Sequence, residues 1–145
     1  MIGTGALVST LVRAHYTSHG RVLPGYSYME LLYHPADALA VRLAGCGLVA
    51  GERTFSRQLI ADVLSDGKAG IGSIQFRLTV LPRPVGRTVL MVTLDADEDW
   101  AQEFAIWVPE RVGRFLQDTY DLVPPEDEYR FVCVEDPVAA CLGGP

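Results

Sequence analysis

Apolar and polar positions alternate along most of the chain with the two-residue period of β-strands. The clearest segment is 74–80, where Ile74, Phe76 and Leu78 share one face and Arg77 lies on the other. The same pattern predicts strands over 7–14, 26–33, 39–43, 52–55, 74–80, 89–94 and 100–107. The last three follow one another through short turns, which indicates a meander. Glycine- or proline-containing segments between the strands are expected to be loops, over 19–26 and 68–72.

A helical period of apolar positions occurs twice. Ser56 is placed to cap the first helix, and Gly67 follows its last turn, where a residue that accepts positive φ is favoured. The second helix should begin at Pro109 and end before Pro124. The buried stripes are expected to carry Leu59, Ile60, Val63 and Leu64 in the first helix, and Val112, Phe115, Leu116 and Thr119 in the second. The predicted fold is α+β, with antiparallel sheets of about seven strands and two packed helices.

Composition indicates a single acidic domain. The 145 residues carry 12 Lys and Arg against 18 Asp and Glu, a net charge of −6, which makes nucleic acid an unfavourable partner. Three cysteines without a CxxC pair favour reduced thiols in a cytoplasmic protein. No apolar run reaches the length that spans a bilayer. We expect one domain over 1–128 and a tail at 129–145, with an edge strand over 130–134 and weak order beyond it.

Some segments match functional motifs only in part. The acidic turn from Asp95 to Asp99 has carboxylates at calcium-loop spacing, but Trp100 stands where such a loop needs glycine. His15 and His19 lie on a strand and its turn, so they do not share a face as two metal ligands would. No nucleophile elbow or phosphate-binding loop is present. We therefore predict no catalytic residue, cofactor or metal. A small enzyme would instead need a concave pocket with convergent polar groups.

Aromatic residues on the predicted strands are expected to fill the core or a subunit interface. They are Tyr26, Tyr28, Trp100, Phe104 and Trp107. Recognition commonly lies on loops that a rigid scaffold positions. The candidate partner contacts are therefore Arg83 and Arg87 in one loop, and Asp97 and Trp100 in the acidic turn. An exposed strand edge or apolar patch should serve oligomerisation.

The order of three segments resembles the SsgA/SsgB-like family of sporulation and cell-division proteins of filamentous actinobacteria. The first is LLYHPADALAVRL at 31–43, two strands around a Pro- and Asp-containing turn. The second, RTFSRQLIADVLSDGKAGIGSIQ at 53–75, is similar to the family's helix with the pattern aromatic-x-x-x-Arg-x-Leu-Leu and its glycine-bearing exit. The third, FAIWVPERVGRFLQDTYDLVPPEDE at 104–128, resembles the final helix with its Phe-Leu pair and Val-Pro-Pro exit.

This resemblance implies a non-enzymatic protein with a fold like that of the Whirly single-stranded-DNA-binding proteins. It further implies a homotrimer that helps localise or recruit the tubulin-like division GTPase FtsZ, or the septal and cell-wall machinery, directly or through a sibling family member. The expected place of action is the cytoplasm, at division septa. The alternative is a single-stranded nucleic-acid binder on the same scaffold, which would need a contiguous basic groove and salt-sensitive affinity.

Overall fold

The structure is a computed structural model that describes residues 7–18, 21–45, 52–96 and 101–128. Within these ranges the chain forms nine strands and two α-helices. The strands are β1 (Val8–Ser18), β2 (Arg21–Val22), β3 (Ser27–Tyr33), β4 (Ala40–Gly45), β5 (Arg53–Ser56), β6 (Lys68–Ile71), β7 (Ile74–Val80), β8 (Thr88–Leu94) and β9 (Gln102–Ile106). The helices are α1 (Arg57–Asp66) and α2 (Pro109–Leu122), and short 3-10 turns cover Pro35–Asp37 and Pro125–Asp127.

Eight strands form one antiparallel sheet in the order β5-β4-β3-β1-β9-β8-β7-β6, and β2 pairs with β1. Strand β1 lies at the middle, where it joins the β3-β4-β5 meander to the β9-β8-β7-β6 meander. Its register pairs Arg13 with Tyr28 on β3 and His15 with Ala105 on β9. Because side chains alternate between the faces of a sheet, these four residues lie on the same face.

The two helices cover the opposite face of the sheet and enclose the main core. Apolar side chains from both meanders and both helices are buried there, including Val12, Met29, Leu31, Leu43, Ile60, Leu90, Phe104 and Phe115. The α+β class, with an antiparallel sheet and two packed helices, is confirmed. Each of the predicted stripe residues of α2 is buried, and in α1 only Leu64 remains partly exposed.

Local signals set the ends of the helices as predicted. The Ser56 hydroxyl accepts a hydrogen bond from the Gln58 N–H at 3.1 Å and so caps α1. Gly67 follows α1 in the left-handed region at φ 89°, and its N–H donates to the Val63 carbonyl. Pro109 is the first residue of α2, which ends at Leu122, two residues before Pro124.

Two segments expected to be loops are strands. Lys68–Ile71 forms β6 and pairs with β7 across a tight turn in which Gly72 has a φ of 58°. Arg21–Val22 forms β2, which extends β1 beyond the predicted end to Ser18. Neither segment shows apolar alternation, because both are short and largely exposed. The predictions for the tail at 129–145 fall outside the described residues.

A buried arginine ties the start of α1 to the end of α2. Arg57 has no exposed surface, and its guanidinium donates to the Val123 carbonyl at 2.8 Å and the Thr119 carbonyl at 3.2 Å. Nε lies 3.0 Å from Oε2 of Glu128, and Nη2 bonds the same oxygen. The Tyr33 and Tyr120 rings lie 5.1 and 4.7 Å from the guanidinium carbon. Arg57 therefore donates to the Val123 carbonyl just beyond α2 and to the Thr119 carbonyl, which also accepts the Val123 N–H, and so ties the C-terminal end of α2 to the start of α1.

Candidate partner-binding surface

The sheet face opposite the helices carries a cluster of rings and arginines. We call it the Arg–aromatic face, and it comprises Arg13, His15, Tyr26, Tyr28, Arg87 and Trp107. The Arg13 guanidinium carbon lies 4.3 Å from the centre of the Tyr26 ring, and that of Arg87 lies 4.8 Å from the Trp107 ring. The His15 ring lies between the two aromatic groups, 4.2 Å from Trp107 and 5.7 Å from Tyr26. These contacts link all the members into one surface.

Strand register and one backbone hydrogen bond bring these residues together. Arg13 and His15 are two positions apart on β1 and so point to the same side. Tyr28 is the register partner of Arg13 on β3. Trp107 follows β9 directly, and its N–H donates to the Arg13 carbonyl at 3.0 Å. The members come from three separate parts of the sequence, at 13–28, 87 and 107, so only the complete sheet assembles the face.

The outer rings of this face are unusually exposed. Tyr26 and Tyr28 have 51% and 52% of their surface accessible, although large rings are mostly buried in folded proteins. Trp107 is partly buried because it packs on a small second cluster formed by Leu81, Val89, Met91 and Ala105, and Val22 and Val85 pack on the same cluster. Exposed aromatic side chains that pack on buried apolar residues are typical of contact surfaces.

Four arginines on this side form no salt bridge with any described residue. Arg13 and Arg87 belong to the Arg–aromatic face, and Arg21 and Arg83 lie beside it. The ion pairs in the described ranges use other arginines: Arg42, Arg53, Arg57, Arg77 and Arg114. A carboxylate on the same face, Glu103, is already engaged by Thr17 and Arg77. Among the described residues, these four arginines therefore have no carboxylate partner, although the protein as a whole is acidic.

A cleft adjoins the Arg–aromatic face. It encloses about 460 Å³ and is lined by Arg21, Val22, Leu81, Pro82, Arg83, Pro84 and Val85; we call it the Pro82 cleft. The loop at 81–87 forms one wall of the cleft. It is closed by hydrogen bonds from the Leu81 N–H to the Arg87 carbonyl at 2.9 Å and from the Val85 N–H to the Pro82 carbonyl at 3.1 Å. Val22 and Val85 line the cleft and pack against the same second cluster as Trp107, so the cleft and the face share one apolar base.

The pKa of His15, at the centre of the face, is lowered from its ordinary value. Burial lowers its pKa, and the positive charge of Arg13 and, to a smaller extent, of Arg87 lowers it further. A hydrogen bond with the Gly25 backbone opposes these effects. Nε2 is buried and has no hydrogen-bond partner among the described residues. A proton on this ring would therefore place a third positive charge beside two arginines that form no salt bridge with any residue the structure describes.

The structure places two of the four predicted contact residues in this region. Arg83 lines the Pro82 cleft, and Arg87 stacks on Trp107. Asp97 and Trp100 lie outside the described residues. Sequence reasoning assigned Tyr26, Tyr28 and Trp107 to a core or an interface and overlooked Arg13. The alternation on β1 and β3 puts Arg13 and Tyr28 on polar-facing positions, but their pairing depends on the register.

The partial motifs adopt other roles in the described residues. Asp95, the first carboxylate of the acidic turn, pairs with Arg53 at 2.7 Å. Lys68 lies on β6 rather than in a phosphate-binding loop. No group of three or more potential metal ligands occurs within the described ranges. No helix there is both long enough and apolar enough to cross a membrane.

Comparison with known proteins points to one family. A family model described as Streptomyces sporulation and cell division protein, SsgA, matches residues 28–128. No curated protein matches the chain at a significant level.

Two solved structures share the fold over almost their full length. One is SsgB of Streptomyces coelicolor, in which mutations correlate with longitudinal cell division during sporulation. It has a TM-score of 0.71 and 23% identity, over 90% of this chain and 99% of the other. The second is an SsgA-like sporulation-specific cell division protein of Thermobifida fusca. Its TM-score is 0.75 at 21% identity, over 96% of this chain and 98% of the other.

Proposed function

The chain belongs to the SsgA family of sporulation and cell division proteins, and on that premise we propose that it is a non-enzymatic regulator of sporulation-specific cell division. It acts through contacts with other proteins. The contacts help to localise or recruit the FtsZ-type division GTPase or the septal and cell-wall machinery, directly or through a sibling family member. Its place of action is the cytoplasm at division septa.

The Arg–aromatic face is the observation that carries this proposal. It combines exposed tyrosine rings with arginines that form no salt bridge within the described ranges, and aromatic residues and arginine are the residue types enriched at the centres of protein interfaces. Of the predicted contacts, Arg87 belongs to this face and Arg83 lines the cleft beside it. This surface supports binding of a partner through a preformed patch.

A direct test uses the purified protein and the purified FtsZ-type GTPase and sibling proteins of the same organism. The immobilised wild-type chain is expected to retain at least one of them. A variant with Arg13→Glu and Arg87→Glu should retain less, because it places like charges opposite the partner. The matched control is Arg111→Glu with Lys68→Glu, which changes the net charge equally on exposed positions of α2 and β6. Failure of the wild type to retain any division protein would contradict the proposal.

The expected assembly is a homotrimer. The strands at the two ends of the sheet order, β5 and β6, have no neighbour on their outer side within the described residues. Ile71 on β6 is 65% exposed and offers an apolar contact at that edge. Light scattering after size-exclusion chromatography should give three times the chain mass. A monomer across the micromolar range would contradict the trimer without affecting the recognition surface.

Single-stranded nucleic acid is the second candidate partner, since aromatic rings beside arginines are also the pattern of stacking platforms. The fold expected from the resemblance, like that of the Whirly proteins, is consistent with this function. It predicts retention of a labelled oligonucleotide on a filter at low salt and its release as salt rises. The net charge of −6 opposes it. No retention at low salt would exclude it.

A further inference from the structure

We propose that the Pro82 cleft is the docking site for an acidic peptide segment of a partner protein, with one apolar side chain seated in the cleft. This inference rests on the proposed function, because it specifies the chemistry of the partner that the surface recognises. The carboxylates of the segment bind Arg21 and Arg83 at the cleft, and the chain then runs over the Arg–aromatic face toward Arg87 and Arg13.

Charge is the first argument. The protein carries 18 acidic residues against 12 basic ones, yet none of Arg13, Arg21, Arg83 and Arg87 is paired with a described carboxylate. An arginine fork binds a carboxylate through two parallel hydrogen bonds. Opposite charges across an interface also orient the partner before contact. Unpaired guanidinium groups concentrated on an otherwise acidic protein therefore favour a partner segment that is itself acidic.

The shape and lining of the cleft supply the second argument. Its volume of about 460 Å³ is within the range of about 300–1,000 Å³ that binding pockets usually enclose. Val22, Leu81 and Val85 contribute apolar surface, while Arg21 and Arg83 contribute charge. Such a lining suits an apolar side chain flanked by carboxylates better than a purely ionic ligand. The apolar part supplies burial, and the arginines determine the sign of the charge.

Preorganisation is the third argument. Arg87 is stacked on Trp107, and its carbonyl closes the loop by accepting the Leu81 N–H. The Val85 N–H bond to Pro82 holds the tip of the same loop. Pro82 and Pro84 further restrict the backbone dihedrals of the loop. Because the site is already ordered, binding loses less conformational entropy than docking on a loose loop would.

Ring geometry favours a peptide over a nucleic acid strand. Tyr26 and Tyr28 meet at 89°, so these neighbouring rings do not form a continuous platform on which successive bases stack. The cleft is a local depression rather than a groove that follows a backbone. A long polyanion would also approach the acidic remainder of the protein, whereas a short segment meets only the arginine-rich side.

The test measures fluorescence anisotropy with a labelled synthetic peptide of glutamates around a central leucine. Controls are the same peptide with glutamines for glutamates, the same peptide with serine for leucine, and labelled oligo-dT. We expect the acidic peptide with leucine to bind most tightly. Raising ionic strength should weaken it, because exposed charges are screened. A glutamine peptide that binds equally well would overturn the proposal, as would oligo-dT binding in the absence of peptide binding.

Paired variants locate the site. Arg21→Glu with Arg83→Glu should weaken the acidic peptide about tenfold or more, because two attractive contacts become repulsive. Lys68→Glu with Arg111→Glu makes the same change in net charge elsewhere and should leave affinity almost unchanged. Both variants are first checked for an unaltered urea midpoint, and a Val85→Ser variant provides an uncharged second probe of the cleft. Equal losses in the two charge variants would overturn the assignment.

The outcomes separate this inference from the function on which it rests. If a purified division protein binds and the cleft variants bind it normally, the cleft assignment fails and the proposed function stands. If the acidic peptide binds but no division protein does, the chemistry of the cleft stands and the proposed function fails.

Discussion

Arginine meets aromatic rings in two regions of this molecule, and the environments differ. Arg57 is fully buried among Tyr33, Tyr120, Glu128 and the end of α2. Arg87, by contrast, lies on Trp107 at the exposed face and has no salt bridge with any described residue. The first guanidinium has acceptors and a counter-charge inside the chain, and the second has no counter-charge in the part of the chain that the structure describes.

The difference indicates which residues contribute to stability and which to partner binding. A buried guanidinium that loses its acceptors destabilises the folded state, since a desolvated charge then remains unpaired. An exposed guanidinium over a ring contributes little to stability, but its hydrogen-bond donors remain available to a partner. We therefore expect the Arg57 centre to maintain the fold and the Arg–aromatic face to bind partners, with little overlap between the two effects.

The largest expected effect is that of Arg57→Met. It removes the counter-charge of Glu128 and the donor to the Val123 carbonyl, while the Thr119 carbonyl keeps only the Val123 N–H. Removing one partner of a buried pair typically costs about 3–5 kcal/mol, and because Glu128 is partly exposed the expected loss is about 3 kcal/mol. Urea unfolding measures it.

The control for this change is Arg42→Met, which breaks an ion pair whose side chains are 47% and 50% exposed. Its loss should stay below about 1 kcal/mol, as for exposed pairs in general. Similar losses for the two arginines would remove the distinction between the buried centre and the surface.

A smaller loss is expected for Glu128→Gln. The amide oxygen still accepts from Arg57, but the buried guanidinium loses its counter-charge. Hydrogen bonds to charged groups contribute about 1.5–3 kcal/mol, and we expect a loss near the lower end of that range. Glu126→Gln, at an exposed neighbouring position, is the matched control in the same denaturant titration. An unchanged midpoint for Glu128→Gln would show that the neutral acceptor is sufficient.

Arg87→Ala should weaken partner binding and have little effect on stability, which is the reverse of the result expected for Arg57→Met. Its stacking on Trp107 is exposed and is expected to contribute about 0.5–1 kcal/mol to folding. Partner binding should decrease markedly, because the free donors are lost. Arg87→Lys keeps the charge but not the planar fork, and is expected to bind with intermediate affinity. A large stability loss without a binding defect would reverse the roles assigned here.

The smallest effect is a pH dependence from His15. Its pKa is lowered in the folded state, so below the unfolded value of about 6.5 the unfolded chain binds a proton that the native ring does not. Stability is therefore unaffected by this group above that pH and falls as pH decreases through it. His15→Asn should reduce the slope of unfolding free energy against pH in this window. Parallel profiles for the two proteins would contradict the role assigned to the ring.

Sequence reasoning succeeded where the determining contacts are local. Ser56 caps α1 through a residue two positions away, and Gly67 ends it through its own backbone conformation. The class of fold and the buried stripe of α2 follow from periodicity alone. Arg57 illustrates the limit, because its acceptors lie 62 to 71 residues away along the chain. Its position in a helix motif gives no indication of that pairing.

The candidate surface could be predicted from the sequence only in part, because it too depends on contacts between distant residues. Arg83 and Arg87 could be proposed because a proline- and glycine-containing loop exposes them. Arg13 lies beside Tyr28 because β1 pairs with β3. It lies close to Trp107 because β1 pairs with β9. The negative net charge gave no indication of the arginine cluster, since net charge does not report how charges are distributed over the surface.

The most direct test of the division between stability and recognition is the dissociation constant for the FtsZ-type GTPase of the same organism. It is measured for the wild type, for Arg13→Glu with Arg87→Glu, and for Lys68→Glu with Arg111→Glu. We predict affinity about tenfold or more weaker for the first variant alone, with its unfolding free energy within about 1 kcal/mol of the wild type. Equal affinity for all three proteins would contradict the account.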